Sequence, residues 1–168
     1  MYKTLELSSQ IKLIISDFDG IFTDNSLLIF DDGSTAKKLS YKDIMGVSIA
    51  VKNGFIIAIV SGDKSNSIDV LAQRFSLTDI HQGIKQKLPV IKSLLEKYNL
   101  KPDEAVYLGD DINDVEGLQY VKYAVTAKQA NYKVKQVEGI QIAQSDAGDG
   151  LFREVVDNLI EIKNENAG

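Results

Sequence analysis

The stretch Ile11-Lys12-Leu13-Ile14-Ile15-Ser16-Asp17-Phe18-Asp19-Gly20 is an apolar run, β-branched at three positions, that stops abruptly at two carboxylates and a glycine. A run of this kind predicts a buried strand, and the acids fall where a central strand of an α/β sheet delivers side chains to the crevice at its carboxyl end. In extended backbone, residues i and i+2 face the same side, so Asp17 and Asp19 are placed to converge on one ligand. Two ionised carboxylates so close repel, and a cation or a shared proton relieves them. Gly20 lets the chain turn sharply away. Taken alone, the same residues also suit a strand followed by an ordinary Asp/Gly turn.

Working outward, the apolar runs keep alternating with helical patterns. A hairpin is expected from Ser26–Phe30 and Ala36–Tyr41 around Asp31-Asp32-Gly33-Ser34-Thr35. A helix follows over 43–52 with Asp43 as its cap, then a strand over 55–60 that ends in Ser61-Gly62-Asp63, then a helix reaching Phe75. A brief strand lies around 78–83, and a helix spans 86–98 if Pro89 sits in its first turn. The strong strand 105–108 runs into Gly109-Asp110-Asp111-Ile112-Asn113-Asp114. Helix 115–120, strand 123–126, a weaker helix over 131–137, strand 140–143 and an amphipathic helix through Ile162 complete the chain, with 164–168 expected to fray. The pattern predicts one α/β domain over residues 1–168. Its sheet would be Rossmann-like, doubly wound and mostly parallel, with helices on both faces, a hairpin flap over about 26–41 and no large cap.

The 168 residues, 44% of them hydrophobic, are enough for one core. No apolar run approaches the roughly 20 residues needed to cross a bilayer, and the polar opening lacks the form of a signal peptide, so a cytoplasmic protein without a membrane partner is expected. There is no cysteine and one histidine, His81, which disfavours thiolate or histidine-rich zinc sites and leaves oxygen ligands, hence magnesium. A net charge of −5 argues against nucleic acid as the partner.

Three strands therefore end in residues suited to chemistry: Asp17/Asp19, Ser61, and Asp110/Asp111/Asp114. In an open α/β sheet such ends lie along one edge. At this point the chain resembles the haloacid dehalogenase-like hydrolases. Asp17-Phe18-Asp19-Gly20-Ile21-Phe22-Thr23-Asp24 is similar to their first motif, Val60-Ser61-Gly62 to the second, Lys87 to the lysine motif, and Gly109–Asp114 to the fourth. The hairpin, Tyr41–Gly46, His81-Gln82-Gly83 and Gly150-Leu151-Phe152-Arg153-Glu154-Val155 resemble the small capless branch. That branch contains 3-deoxy-D-manno-octulosonate 8-phosphate phosphatases and their nonulosonate 9-phosphate relatives.

The resemblance implies a magnesium-dependent phosphatase. Asp17 would be the nucleophile, Asp19 the general acid and base, and Ser61 and Lys87 the contacts to the phosphoryl oxygens. Magnesium would be held by Asp17, the Asp19 carbonyl and Asp110, with Asp111 and Asp114 orienting waters or ligands behind them. Thr23, Gly62, Asp63, Asp43 and Arg153 would belong to substrate binding. A phosphorylated acidic sugar is the implied substrate, and a homotetramer, with neighbouring subunits closing the crevice, the implied assembly. Octulosonate enzymes typically have arginine after the second-motif glycine, whereas Asp63-Lys64 stands here, and the nonulosonate relatives tend to be acidic at that place. A phosphoacceptor receiver module is the alternative of another class. Receivers, however, commonly pair adjacent acids at the first strand and end a middle strand in aspartate, where this chain has Ser61.

Overall fold

The computed structural model describes residues 4–168. Its six-stranded sheet is built from β1 (Leu13–Ser16), β4 (Ile56–Val60), β5 (Asp79–His81), β6 (Ala105–Leu108), β7 (Tyr123–Thr126) and β8 (Gln141–Ile142), in the order β5-β4-β1-β6-β7-β8. Every pairing in it is parallel. β1 lies between β4 and β6, with Leu13 opposite both Ile56 and Ala105, so the ends of these three strands fall side by side. Two further strands, β2 (Leu28–Ile29) and β3 (Thr35–Ala36), form the separate antiparallel hairpin.

The pleat sorts β1 between two cores. Ile14 joins Val47, Ala50, Leu71, Phe152 and Val155 on one face, while Leu13 and Ile15 join Ile91, Leu94, Tyr107, Leu118 and Val134 on the other. Helices α1 (Tyr41–Lys52), α2 (Asn66–Phe75) and α6 (Leu151–Ala167) supply the first layer, and α3 (Leu88–Lys97), α4 (Val115–Tyr120) and α5 (Tyr132–Lys135) supply the second. Burial on both faces is what a continuous apolar strand requires, and each fully enclosed leucine or isoleucine contributes about 1.5–3 kcal/mol.

The boundaries depart from the sequence reading in three instructive places. α1 starts at Tyr41, capped by Ser40, whose side chain accepts the Lys42 amide. Asp43 is therefore not that helix's cap. It is fully enclosed, and its carboxylate accepts the Gly150 and Arg153 amides at 3.0 and 3.1 Å, so it caps α6 from across the chain. The tail expected to fray continues as helix to Ala167, and the Asn166 side chain donates back to the Ile162 carbonyl. The weak elements are shorter than expected: α5 holds four residues and β8 two. Pro89 lies in the first turn of α3, as its missing N–H demands. Among the described residues no helix is long and apolar enough to cross a membrane.

Candidate active site

Asp17 continues the β1–β6 pairing by one residue, its amide donating to the Leu108 carbonyl at 2.8 Å. Phe18 points the other way, stacking on Phe22, which in turn packs on Phe152. That aromatic anchor fixes the turn carrying Asp17 and Asp19. Gly20, at φ +81°, lies so close to the end of β6 that a Cβ there would fall 1.8 Å from Asp110 Oδ2. Only glycine meets both demands.

Carboxylate oxygens of Asp17, Asp110 and Asp114 all lie within 4.8 Å of one another, and all three residues are buried. Burial pushes the Asp17 carboxyl well above the usual carboxylate range, Asp114 beside it adds to the rise, and Lys87 opposes it. Asp110 is raised to about 6 by burial, against the hydrogen bond from Asn25, with Asp114 and Asp111 adding repulsion. Crowded, dehydrated carboxylates of this kind fit a hard divalent cation, which would discharge them.

The three acids are not equivalent. Asp114 Oδ1 accepts from Lys87 Nζ at 2.7 Å and from the Tyr107 hydroxyl, and its Oδ2 accepts the Asp110 and Asp111 amides at 3.0 and 3.1 Å. Its acceptor positions are filled by protein donors, which leaves Asp17 and Asp110 as the carboxylates free to face an ion. Lys87, just before α3, is almost wholly enclosed and also pairs with Asp17 Oδ2 at 3.0 Å. Burial works against its charge, but Asp114 and Asp17 outweigh burial and hold its pKa above the ordinary lysine value. Asp111 is exposed, and its carboxylate caps the turn at Ile112.

Asp19 stands outside this cluster. Its Oδ1 accepts from the Thr23 hydroxyl at 2.9 Å and its Oδ2 from Lys37 Nζ at 2.6 Å. Lys37 comes from the far end of the hairpin and reaches Asp63 Oδ2 at 3.1 Å as well; its own side chain is 7% exposed, whereas that of Asp63 is 64% exposed. The bridge spans the mouth of the crevice. Beside it runs a groove of about 640 Å³ between hairpin and α2, lined by Leu27, Lys37, Asp63, Lys64, Asn66 and Val70 among others.

Ser61 directly follows β4, buried, with its Oγ accepting the Asp63 amide at 3.2 Å. At Gly62 a Cβ would meet Asn113 Nδ2 at 3.0 Å, so the second and fourth motifs face each other there. Asp17, Asp19, Thr23, Ser61, Gly62, Asp63, Lys87, Asp110 and Asp114 thus share the carboxyl edge of the sheet. Asp43 and Arg153 do not join them: Asp43 is consumed in capping α6, and Arg153 Nε pairs with Asp157 at 2.7 Å beside a different cleft lined by Lys42, Asp149 and Glu161. Three neighbours escaped the sequence reading. Lys37 was hidden in the irregular stretch just after a two-residue strand, Asn25 in an Asp-Asn turn, and Tyr107 in an apolar run. Asn25, at φ +68°, donates to Asp110 Oδ2 at 2.8 Å.

A parallel sheet whose central strands deliver an acid pair, a serine and a lysine-linked acid cluster to one edge is the arrangement of the haloacid dehalogenase-like hydrolases, and the chain belongs to that family, whose model matches residues 56–155. Among individual proteins, the chain is 27% identical to the 3-deoxy-D-manno-octulosonate 8-phosphate phosphatase KdsC of Escherichia coli (strain K12), over 91% of its own length and 81% of that enzyme's. It superposes with a TM-score of 0.88 on the 3-deoxy-D-manno-octulosonate 8-phosphate phosphatase of Moraxella catarrhalis, at 25% identity, covering 94% of this chain and 90% of that one. The crystal of that enzyme holds magnesium, phosphate and KDO. A probable YrbI-family phosphatase of Pseudomonas syringae gives the same TM-score at 28% identity, over 95% of this chain and 91% of that one.

Proposed function

We propose that this chain acts as a single catalytic domain, a magnesium-dependent phosphatase of a 2-keto sugar acid phosphate, foremost 3-deoxy-D-manno-octulosonate 8-phosphate. The observation that carries the reading is the convergence of Asp17 and Asp110 on one enclosed point, with Lys87 paired to Asp17 and with Asp19, two residues on, at the crevice mouth.

Asp17, the Asp19 backbone carbonyl and Asp110 would hold the ion. When bound, magnesium neutralises phosphoryl charge and the acid cluster together. Asp17 attacks phosphorus through one carboxylate oxygen, the bond from phosphorus to the sugar oxygen breaks, and an aspartyl-phosphate results. Asp19 gives its proton to the departing sugar oxygen. In the second step Asp19 takes a proton from water as that water attacks phosphorus, which frees phosphate and restores Asp17. Lys87 and the Ser61 hydroxyl hold the phosphoryl oxygens through both steps. An oxygen of Asp19 that carries a proton toward the leaving group cannot also bind Lys37. Asp63, the lysine's other partner, gives that cation a place to remain while Asp19 works.

The groove between hairpin and α2 is the natural seat of the sugar, open beside Asp19 and carrying Lys37 and Lys64. Asp63 after Gly62 favours a second reading, a nonulosonate 9-phosphate, since acidic residues mark that group. The exposed hairpin, with Ile29 of β2 72% exposed, supports a homotetramer in which neighbouring copies cover the crevice. The test is phosphate release from octulosonate 8-phosphate, a nonulosonate 9-phosphate and neutral hexose phosphates. Expected are magnesium dependence, loss in Asp17→Asn, and a kcat/KM highest for an acidic sugar. Equal turnover in excess chelator, or a clear preference for neutral sugars, overturns the reading.

A further inference from the structure

Tyr107 is used by none of these steps, yet its hydroxyl enters the charged centre. It sits on β6 with the ring fully enclosed against Ile91 and Leu118, and it donates to Asp114 Oδ1. The same oxygen accepts Lys87 Nζ. Counting protons and lone pairs shows what the hydroxyl does. An ammonium has three N–H groups, of which Asp114 and Asp17 take two, leaving one to point at a phosphoryl oxygen. Without the tyrosine, the fully buried Asp114 Oδ1 keeps Lys87 as its one remaining donor, and a second N–H of that ammonium is the group at hand for the vacated position. The lysine is then drawn toward Asp114, its pairing with Asp17 weakens, and the third N–H turns off its line.

The packing shows that the ring's seat is kept at some cost. Gly117 lies inside α4, where glycine is about 1 kcal/mol worse than alanine. A Cβ at Gly117 would fall 2.5 Å from Tyr107 Cε1 and 2.4 Å from Ile91 Cδ1. The helix omits a side chain at the place where the ring lies.

We propose that Tyr107 is a positioning residue for phosphoryl transfer: through Asp114 it fixes Lys87 so that one N–H stays on the phosphoryl group while Asp17 stays ion-paired. The proposal rests on the phosphatase reading above, and the experiment separates the two. Wild type, Tyr107→Phe and Ile91→Val are assayed with p-nitrophenyl phosphate and magnesium well below their melting points. Tyr107→Phe is expected to lose roughly 10-fold in kcat, with KM and half-saturating magnesium within about twofold, the scale of one hydrogen bond to a charged group. Ile91→Val is expected to melt lower at unchanged kcat. A Tyr107→Phe kcat within about twofold of wild type, or an equal loss in Ile91→Val, overturns the proposal. Melting points of Tyr107→Phe, Lys87→Met and the double variant report the same coupling without turnover. The double is expected to lose less than the two singles together, and strict additivity overturns the proposal even if the wild type proves inactive. If Tyr107→Phe does not fold, Gly117→Ala, which crowds the ring and keeps the hydroxyl, is expected to lower kcat in the same pattern, and an unchanged kcat there counts against it.

Discussion

Asp110→Asn gives the sharpest test of the acid cluster, because removing a charge here is expected to stabilise the metal-free protein. Burial, opposed by Asn25 and reinforced by Asp114 and Asp111, raises the folded-state pKa of Asp110 to about 6, from 3.8 in the unfolded chain. Between those values the folded protein holds a proton that the unfolded chain has released, so this group's contribution falls as pH rises through the window and is fully unfavourable above about pH 6. Two pH units correspond to roughly 3 kcal/mol, part of it shared with Asp17 and Asp114. Asparagine keeps an acceptor for Asn25 and carries no charge, so it recovers some of that penalty. For a chain of this size the gain is roughly 3–8 °C in melting temperature at pH 7.5 in chelator, shrinking toward zero near pH 4. The assay is thermal unfolding of both proteins across pH 4–8, with and without magnesium. Added magnesium is expected to stabilise wild type at pH 7.5 and to leave Asp110→Asn unmoved. An Asp110→Asn protein that melts at or below wild type in chelator at pH 7.5, or gains equally at every pH, refutes the reasoning.

Two further perturbations probe the same point from its sides. Gly20→Ala places a methyl against Asp110 Oδ2 at a positive φ, at a backbone cost of about 1–2 kcal/mol; half-saturating magnesium in the phosphate-release assay should rise at least about 10-fold with far-UV circular dichroism unchanged. Lys87→Met strips Asp17 and Asp114 of their shared cation. Phosphate release should fall at least about 100-fold, and urea unfolding at pH 7.5 should show a loss of about 3–5 kcal/mol that narrows in acid as the carboxyls take up protons; a loss constant with pH would contradict the pairing.

The first strand was readable because burial on both faces leaves an unbroken apolar run, and the acids that end it have no place in a core. The same reasoning found Ser61 and Asp110, each at the end of such a run. Asp43 misled because an acid in a first helical turn is an ordinary local cap, whereas its actual partners, the Gly150 and Arg153 amides, are far along the chain and are brought near only by the packing of α1 on α6. Lys37 and Lys38 are adjacent identical residues, one with its side chain 7% and the other 77% exposed, and the irregular backbone just past β3 has no period to show which turns inward. Tyr107 looked like any aromatic of a buried strand, since its polar end is visible only once Asp114 is beside it. The last helix outran its apolar stripe because residues past Ile162 propagate a helix already formed, which needs no further burial.

The seam between β1 and β6 carries a consequence for how the centre comes into being. Asp17 and Asp110 are drawn from opposite halves of the polypeptide, so neither half, emerging alone from the ribosome, carries both of these carboxylates. Zipping that parallel seam is a long-range and therefore slow event. A divalent ion held by both carboxylates would accordingly find its full ligand set only on the finished sheet, and its binding energy would pull the chain toward the native fold by mass action rather than guide the route there.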